Sequence, residues 1–301
     1  NKVRGDRGIW RGGPVPHSRL RESHTRSQLG LKHSLWIISG ARGKKQQQPW
    51  AGTLGRLPYA ICGGLRRPHP RFCAVFTVFG QGAGELSAST DYEQLVSHIE
   101  AALPVVHRFA PPTPMLRLQR LDALIEGTVF LKAECLQATG SFKVRGALNV
   151  MTSLKQTQNV RHVVAFSSGN HGIGVAYAAK CLQMSASVVV PSDAPNRKVE
   201  RIRSLGADII FYDRHTENRE RIAEALCQES GARLVKPYDD WGTIAGQGTC
   251  GAEAHRQIQG AIDSAVVCTG GGGLLAGVGT YLKAHRGAMA LYSAEPEGWD
   301  D

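Results

Sequence analysis

The chain has 301 residues and a formal net charge of +11, so it is long enough for two domains and basic enough to suggest a nucleic-acid partner. The charge is uneven, because residues 1–86 carry 15 of the 36 basic residues and three of the 25 acids, whereas residues 87–301 carry 21 bases and 22 acids. The basic character belongs to the first 86 residues and gives no support to a nucleic-acid-binding function for the rest.

Residues 1–86 have the composition of a basic, low-complexity leader. They are rich in Gly, Pro and Arg and show no sustained apolar period. We expect this leader not to be part of the fold. A fragment start, or translated upstream sequence, is the explanation we favour; an Arg-rich transit segment and an RNA-binding arm are the alternatives.

The cysteines indicate a reducing compartment. There are seven, an odd number, and they are widely spaced without any C-x-x-C pair, which favours free thiols in a cytoplasmic protein over a zinc site or a disulfide framework. The longest mostly apolar segment, residues 265–282, is interrupted by four consecutive glycines. It therefore indicates a strand, a loop and a buried helix, and we expect no membrane association.

From about Tyr92 onward the sequence alternates between short apolar strands and amphipathic helices, which predicts an α/β fold with a parallel sheet. Pro195 suits a first helical turn, and Gly206 and Gly231 suit helix C-terminal caps. The predicted strands are residues 128–134, 162–167, 185–191, 207–213, 232–237, 264–269 and 289–295, and the predicted helices are residues 172–182, 195–205, 216–230 and 245–258. Since ligands of such sheets bind beyond the carboxyl ends of the strands, the loops that follow strands are the informative places.

The first such loop lies in the sequence ATGSFKVRGA, residues 138–147. A turn at Thr139 and Gly140 is followed by a helix that opens at Ser141, Phe142 and Lys143. A lysine at this point can face the crevice at the sheet edge, and partial desolvation would lower the pKa of its amine and make it a nucleophile and a base. A solvated surface lysine is the alternative that this segment alone leaves open.

The second loop, SSGNHGIG at residues 167–174, follows the strand HVVAF. Small residues before a helix allow backbone N–H groups to approach a carboxylate, and Asn170 adds an amide for a phenolic oxygen. A strand-to-helix turn without a ligand is an equally good interpretation of this loop alone.

The third loop, TGGGGLLAG at residues 269–277, places four glycines before a helix. Such a run forms a nest of backbone N–H groups that suits a phosphate monoester, although a flexible glycine loop is the alternative. It matches neither a Walker loop nor the dinucleotide fingerprint. An aldehyde for Lys143, a ring hydroxyl for Asn170 and a phosphate for the glycines occur together in pyridoxal 5′-phosphate.

These motifs resemble the fold-type II pyridoxal-phosphate enzymes, within the group of threonine/serine dehydratases and serine racemases. The resemblance covers roughly residues 92–301 and rests on TGSFKVRGA, SSGNHG, IAGQGT, GGGGLLAG and AEP. It implies open parallel or mixed sheets, with a large domain in two parts, residues 87–160 and 240–301, and an inserted small αβ domain at residues 161–239. Family members continue beyond this point, so we expect the large domain to be C-terminally truncated, with the partner of the pyridine nitrogen further along the chain.

The resemblance also implies roles for individual residues. Lys143 would hold the cofactor through an imine, with Phe142 beside the cofactor ring, and Asn170 would bind its ring oxygen. Gly270, Gly271, Gly272, Gly273 and the amide of Leu274 would bind the phosphate. The substrate would contact Ser167, Ser168, Asn170, His171 and Arg219, and Ser168 would be a second acid/base on the face opposite Lys143. For Arg219 a solvated helix face is the alternative.

Related enzymes hold a divalent cation near the AEP motif, and the matching positions here are Glu295, the carbonyl of Trp299 and Asp301. Oxygen ligands of this kind suit Mg²⁺. An exposed acidic tail is the alternative for these three residues.

The activity that the resemblance implies is elimination of the β-hydroxyl of L-threonine or L-serine, giving a 2-oxo acid and ammonia, with Lys143 as the base. Serine racemisation through Ser168, or an ammonia-lyase reaction on hydroxyaspartate or another hydroxy amino acid, is the alternative. A truncated relic that only binds the cofactor is another. A homodimer fits the family; nucleic-acid binding would have to come from the leader. Tyr238 and Asp239 are candidates for lining the substrate pocket, or are plain turn residues.

Overall fold

The computed structural model describes residues 35–39, 74–78, 89–125, 127–167 and 169–296, and it forms two β-sheets with helices packed on them. The strands are β1 (Leu35–Ser39), β2 (Ala74–Val78), β3 (Met115–Arg117), β4 (Thr128–Lys132), β5 (His162–Phe166), β6 (Ser185–Pro191), β7 (Asp208–Tyr212), β8 (Arg233–Leu234), β9 (Ser264–Cys268) and β10 (Ala290–Pro296). The helices are α1 (Ser89–His107), α2 (Gln119–Ile125), α3 (Lys143–Gln158), α4 (Asn170–Leu182), α5 (Asn196–Ser204), α6 (Arg219–Ser230), α7 (Trp241–Gln257) and α8 (Gly273–Arg286).

The smaller sheet has four parallel strands in the order β7-β6-β5-β8. Its central strands are Val-rich and fully buried at Val163, Val164, Val188 and Val189, as expected for strands covered by helices on both faces. The whole sheet lies within residues 161–239, the segment that the sequence assigns to an inserted domain.

The larger sheet is mixed, with strand order β2-β10-β9-β1-β4-β3. Only β9 and β10 pair in parallel; the other neighbours are antiparallel. Strand β1 lies between β4 and β9 and β2 pairs with β10, so ten residues of the leader contribute to this sheet. This departs from the expectation that residues 1–86 lie outside the fold. The physical reason is that the backbone N–H and C=O groups along β4, β9 and β10 require partners.

Several predicted elements begin or end elsewhere. The strand predicted for residues 128–134 ends at Lys132, and a 3₁₀ turn follows at Glu134–Leu136. Helix α6 begins only at Arg219, because the Asn218 side chain accepts the N–H groups of Glu220 and Arg221 and so fixes the helix start.

Two further helix starts differ from the sequence prediction. Helix α7 begins four residues early, after Asp240 accepts the N–H of Thr243 at 2.7 Å. Pro195 lies immediately before α5 instead of inside its first turn. Gly231 does cap α6 with a positive φ of 70°, as predicted.

Within the described part of the chain, no helix is both long and apolar enough to cross a membrane.

Candidate functional site

Lys143 is the first residue of α3, and its amine is held inside the protein. The Nζ atom donates a hydrogen bond to the carbonyl of Pro237 at 2.8 Å and lies 5.2 Å and 5.8 Å from the ring centroids of Phe142 and Tyr238. Burial lowers the pKa of Lys143 from 10.5 to about 8, while the neighbouring Cys268 thiol acts in the opposite direction. A substantial share of the amine is therefore uncharged at mildly alkaline pH, which is the form that attacks a carbonyl.

The glycine loop connects β9 to α8 and faces the same space. Gly272 has a φ of 76°, a left-handed conformation that glycine adopts without strain. A Cβ atom on Gly271 would lie 2.3 Å from the Tyr238 ring, so no side chain fits there. The loop thus exposes backbone N–H groups at the amino end of a 14-residue helix, an arrangement that binds anions.

The loop after β5 supplies the third wall. Helix α4 begins at Asn170, and the Ser167 hydroxyl accepts the N–H of Gly169 at 3.1 Å, which shapes the turn. Ser168, the predicted second acid/base, lies outside the described residues. The catalytic role of Ser168 and the substrate contact of Ser167 stay predictions.

His171 belongs to the protein interior. Only 4% of it is exposed, and its Nε2 lies 2.8 Å from the carbonyl oxygen of Val235, to which it can donate a hydrogen bond. Burial, partly offset by that bond, lowers the pKa of His171 to about 4, so the ring is neutral. Its imidazole thus connects α4 to the residue that follows β8. The substrate contact predicted for His171 stays a prediction.

A cavity of about 180 Å³ joins the three loops. It brings together all the residues predicted to bind the cofactor, and four others complete its lining. The predicted residues are Lys143, Phe142, Asn170, Gly270, Gly271, Gly272, Gly273 and Leu274, and the others are Tyr238, Cys268, Thr269 and Leu275.

Arg219 does not line this cavity. It is the first residue of α6, its side chain is 51% exposed, and its guanidinium carbon lies 5.3 Å from the centroid of the Phe166 ring. Phe166 ends β5 and precedes Ser167, so Arg219 lies beside the start of the second loop. A substrate contact from this position stays a prediction.

The predicted metal site falls largely outside the described residues. Glu295 is described, and its Oε1 accepts a hydrogen bond from the Ser293 hydroxyl at 2.8 Å. Trp299 and Asp301 are not among the residues that the structure describes. Among those that are, no group of three His, Cys, Asp or Glu side chains is arranged to hold a metal.

Sequence reasoning missed three contributors to the site. Cys268 is the last residue of β9 and lines the cavity; its place at a strand end was a usable signal. Gln247 donates from Nε2 to the Pro237 carbonyl at 3.2 Å, the same oxygen that accepts from Lys143. Pro237 and Gln247 are adjacent only because α7 packs behind the turn, which no local pattern indicates.

The residues present fit a phosphorylated aldehyde. The cavity is lined by the amine-bearing Lys143, by the glycine loop and by Asn170. The Oε1 atom of Gln247 is buried without a hydrogen-bond partner among the described residues, which is the kind of atom that a ligand or water satisfies. A Cβ on Gly273 would lie 2.8 Å from this same Oε1, so the glycine loop and Gln247 are closely packed.

Comparisons with known proteins identify a matching family. The family model described as "Pyridoxal-phosphate dependent enzyme" matches residues 106–301. The chain is 45% identical over 193 residues to an L-threo-3-hydroxyaspartate ammonia-lyase of Pseudomonas sp, covering 64% of this chain and 60% of that protein. It is 36% identical over 222 residues to a serine racemase of Oryza sativa subsp. indica, covering 74% and 65% respectively.

Solved structures have the same fold. The structure of maize serine racemase superposes with a TM-score of 0.62 at 36% identity, covering 65% of this chain and 59% of that one. The processed form of threonine deaminase isoform 2 from Solanum lycopersicum gives 0.61 at 30% identity, covering 72% and 58%. The predicted fold class is therefore confirmed, and the chain spans 60% and 65% of the length of the two curated relatives named above.

Proposed function

Because the chain belongs to the family of pyridoxal-phosphate dependent enzymes, we propose that it removes the hydroxyl group and the amino group from a 3-hydroxy amino acid. L-Threonine or L-serine is the first substrate to test, and the products would be a 2-oxo acid and ammonia. Hydroxyaspartate is the alternative substrate, supported by the 45% identity to a hydroxyaspartate ammonia-lyase. The observation that carries the proposal is the buried, readily deprotonated amine of Lys143 in a cavity shared with the glycine loop.

The proposal assigns cofactor binding to three walls of the cavity. The Lys143 amine forms the covalent attachment, the backbone N–H groups of Gly270 to Gly273 hold the phosphate, and the Asn170 amide reaches the ring oxygen. The cofactor supplies an aldehyde that bonds an amine and a ring that takes up charge developing at the substrate Cα.

Lys143 is also the proposed base. When the substrate amine takes its place on the cofactor aldehyde, the Lys143 amine would be released, would take the Cα proton at Nζ and, as an ammonium, would give a proton to the departing hydroxyl group. Burial, which lowers the pKa of the free amine to about 8, favours the neutral form that this role requires. Phe142 and Tyr238 flank the amine and limit its access to water. In the cofactor-free chain the Pro237 carbonyl accepts a hydrogen bond from Nζ and orients the amine.

Racemisation is the second candidate, supported by the similarity to serine racemases. It needs a second acid on the face opposite Lys143, the role predicted for Ser168. A divalent cation at Glu295 and a homodimeric assembly are further parts of the proposal.

The test is an assay of the chain loaded with pyridoxal phosphate on L-threonine, L-serine and hydroxyaspartate, with detection of ammonia, 2-oxo acid and the D-isomer. Ammonia with 2-oxo acid supports elimination, and D-isomer without ammonia supports racemisation. Lys143→Ala is the control. Turnover that survives this substitution would contradict the proposed role of Lys143.

A further inference from the structure

A largely buried cluster of charged side chains lies on the side of α3 away from the cavity. At its centre is Arg145, two residues after Lys143, with no exposed side-chain surface. Its five N–H donors are all engaged. Nε and Nη2 bond the Glu134 carboxylate at 2.8 Å each, Nη1 and Nη2 bond Glu253 at 2.5 and 2.9 Å, and Nη1 also bonds the Thr249 hydroxyl at 3.1 Å.

Further groups complete the cluster around Glu253. Lys132 at the end of β4 lies 2.6 Å from its Oε2, and His107 at the end of α1 lies 2.8 Å from its Oε1. Burial acts to raise the pKa of Glu253, but hydrogen bonds and charge from Arg145 and Lys132 outweigh it and lower the pKa to about 2. The carboxylates of Glu134 and Glu253 thus lie against the basic side chains of Arg145, Lys132 and His107.

The cluster joins three elements at the first turn of α3. Glu134 lies in the 3₁₀ turn before the lysine loop, while Thr249 and Glu253 lie on α7. Helices α3 and α7 also touch through their backbones, since a Cβ on Gly246 would lie 2.6 Å from the carbonyl oxygen of Arg145. The two helices can neither slide nor rotate against each other without breaking these contacts.

The direction of the Arg145 side chain matters for the lysine. Residues two apart on a helix are separated by about 200° around its axis, so Arg145 leaves α3 on the face opposite Lys143. Stability alone explains such a cluster poorly, because buried ion pairs contribute little net stability compared with apolar packing. A bidentate guanidinium does fix geometry in two directions at once.

We propose that Arg145 is a positioning residue: by clamping Glu134 and Glu253 it fixes the first turn of α3 and keeps the Lys143 amine directed into the cavity. The motifs TGSFKVRGA and IAGQGT thus contribute Arg145 and Gly246 to the support of the site rather than to ligand contact. The inference rests on the proposed role of Lys143 as the cofactor-bearing lysine and names the residue that positions it.

The test compares Arg145→Lys with Arg256→Lys in the full chain. Arg256 lies on α7, the helix that carries Glu253, and pairs with Glu100 at the surface, at 2.6 Å. Its substitution therefore removes a guanidinium from a surface ion pair instead of the buried cluster. Ile202→Ala, at a fully buried site in the core of the smaller sheet, controls for lost stability. The measurements are total bound pyridoxal phosphate, the fraction trapped on Lys143 by borohydride, kcat, KM, and the pKa of Lys143 by side-chain NMR without cofactor.

For Arg145→Lys we expect bound cofactor within about twofold of wild type, because the glycine loop is intact, but a fall of roughly fivefold or more in the trapped fraction. We expect kcat to fall about 100-fold with KM little changed, the size of effect that a displacement near 1 Å produces. The pKa of Lys143 should rise toward its ordinary value as the amine reaches water. Both controls should leave the trapped fraction and this pKa unchanged.

Thr249→Val is the milder variant if Arg145→Lys does not fold. It removes one of the five hydrogen bonds that the guanidinium donates. A trapped fraction lower by about twofold or more, together with a raised pKa of Lys143, would support the inference. A variant that loses thermal stability but keeps the trapped fraction and the Lys143 pKa of wild type would overturn it. Absence of trapping in wild type itself would count against the proposed function, and the comparison of Lys143 pKa values would still decide the positioning role.

Discussion

Replacing Lys143 by methionine should stabilise the cofactor-free chain while removing its reactive amine. The pKa of Lys143 falls from 10.5 to about 8 because the amine is buried, so the folded protein holds a charge at neutral pH that the unfolded chain solvates better. The gap of about 2.5 corresponds to roughly 3 kcal/mol. Loss of the bond to the Pro237 carbonyl offsets about 1 kcal/mol, which leaves a net gain of about 2 kcal/mol.

The pH dependence of stability independently tests whether Lys143→Met stabilises the chain. Between pH 8 and 10.5 the unfolded chain binds more protons at this lysine than the folded one, so the stability of wild type rises with pH in that window. The advantage of Lys143→Met should be full below pH 8 and should narrow above it. Urea unfolding at pH about 7 and about 9.5 measures both free energies.

Lys132→Met is the matched comparison, because Lys132 is also buried but has a charged partner. Its Nζ lies 2.6 Å from Glu253 Oε2 and 2.7 Å from the Thr113 carbonyl. Removing it leaves a buried carboxylate short of a cation and should cost about 3–5 kcal/mol. The same substitution thus has opposite signs at two buried lysines. A Lys143→Met chain that is less stable than wild type at neutral pH, or a difference that does not narrow as pH rises, would refute this reasoning.

Three further predictions concern the packing around the site. Gly246→Ala should cost about 1–3 kcal/mol in urea unfolding, because its Cβ would meet the Arg145 backbone at 2.6 Å; an unchanged midpoint would contradict the close approach. Gly271→Ala should cost a similar amount, because its Cβ would lie 2.3 Å from the Tyr238 ring, and the cost should largely vanish in a Tyr238→Ala background; additive effects would argue against that contact. Glu253→Gln should lower the free energy of unfolding by about 3–5 kcal/mol at neutral pH. Its stability should fall less than that of wild type on acidification, because a carboxyl whose pKa is lowered from 4.5 to about 2 gives stability that disappears as pH falls through that range. An equal fall in stability for the two proteins between these pH values would refute the assignment.

The site was largely predictable because its residues follow strands. Lys143, Asn170 and the four glycines each lie in a loop after an apolar strand, and the structure brings them to one cavity. Strand ends carry ligand sites in α/β folds for a topological reason, so local sequence was sufficient. Cys268 occupies the same kind of position and follows from the same rule.

Other features depended on contacts between distant parts of the chain. Strand β1 pairs with β4 and β9, which lie about 90 and 230 residues further along, and no local pattern in the leader indicates this pairing. The partners of Arg145 are 11 and 108 residues away, so its burial could not be read from its own segment. His171 was assigned to the substrate loop from the resemblance, but its ring bonds a carbonyl 64 residues away.

The central claim is that Lys143 carries pyridoxal phosphate, and borohydride reduction of the loaded chain followed by peptide mass mapping tests it most directly. We expect a pyridoxyl group on the peptide containing Lys143 and its loss in Lys143→Ala. A label that is absent, or that is spread over other lysines such as Lys155 and Lys236 while Lys143 stays unmodified, would contradict the claim.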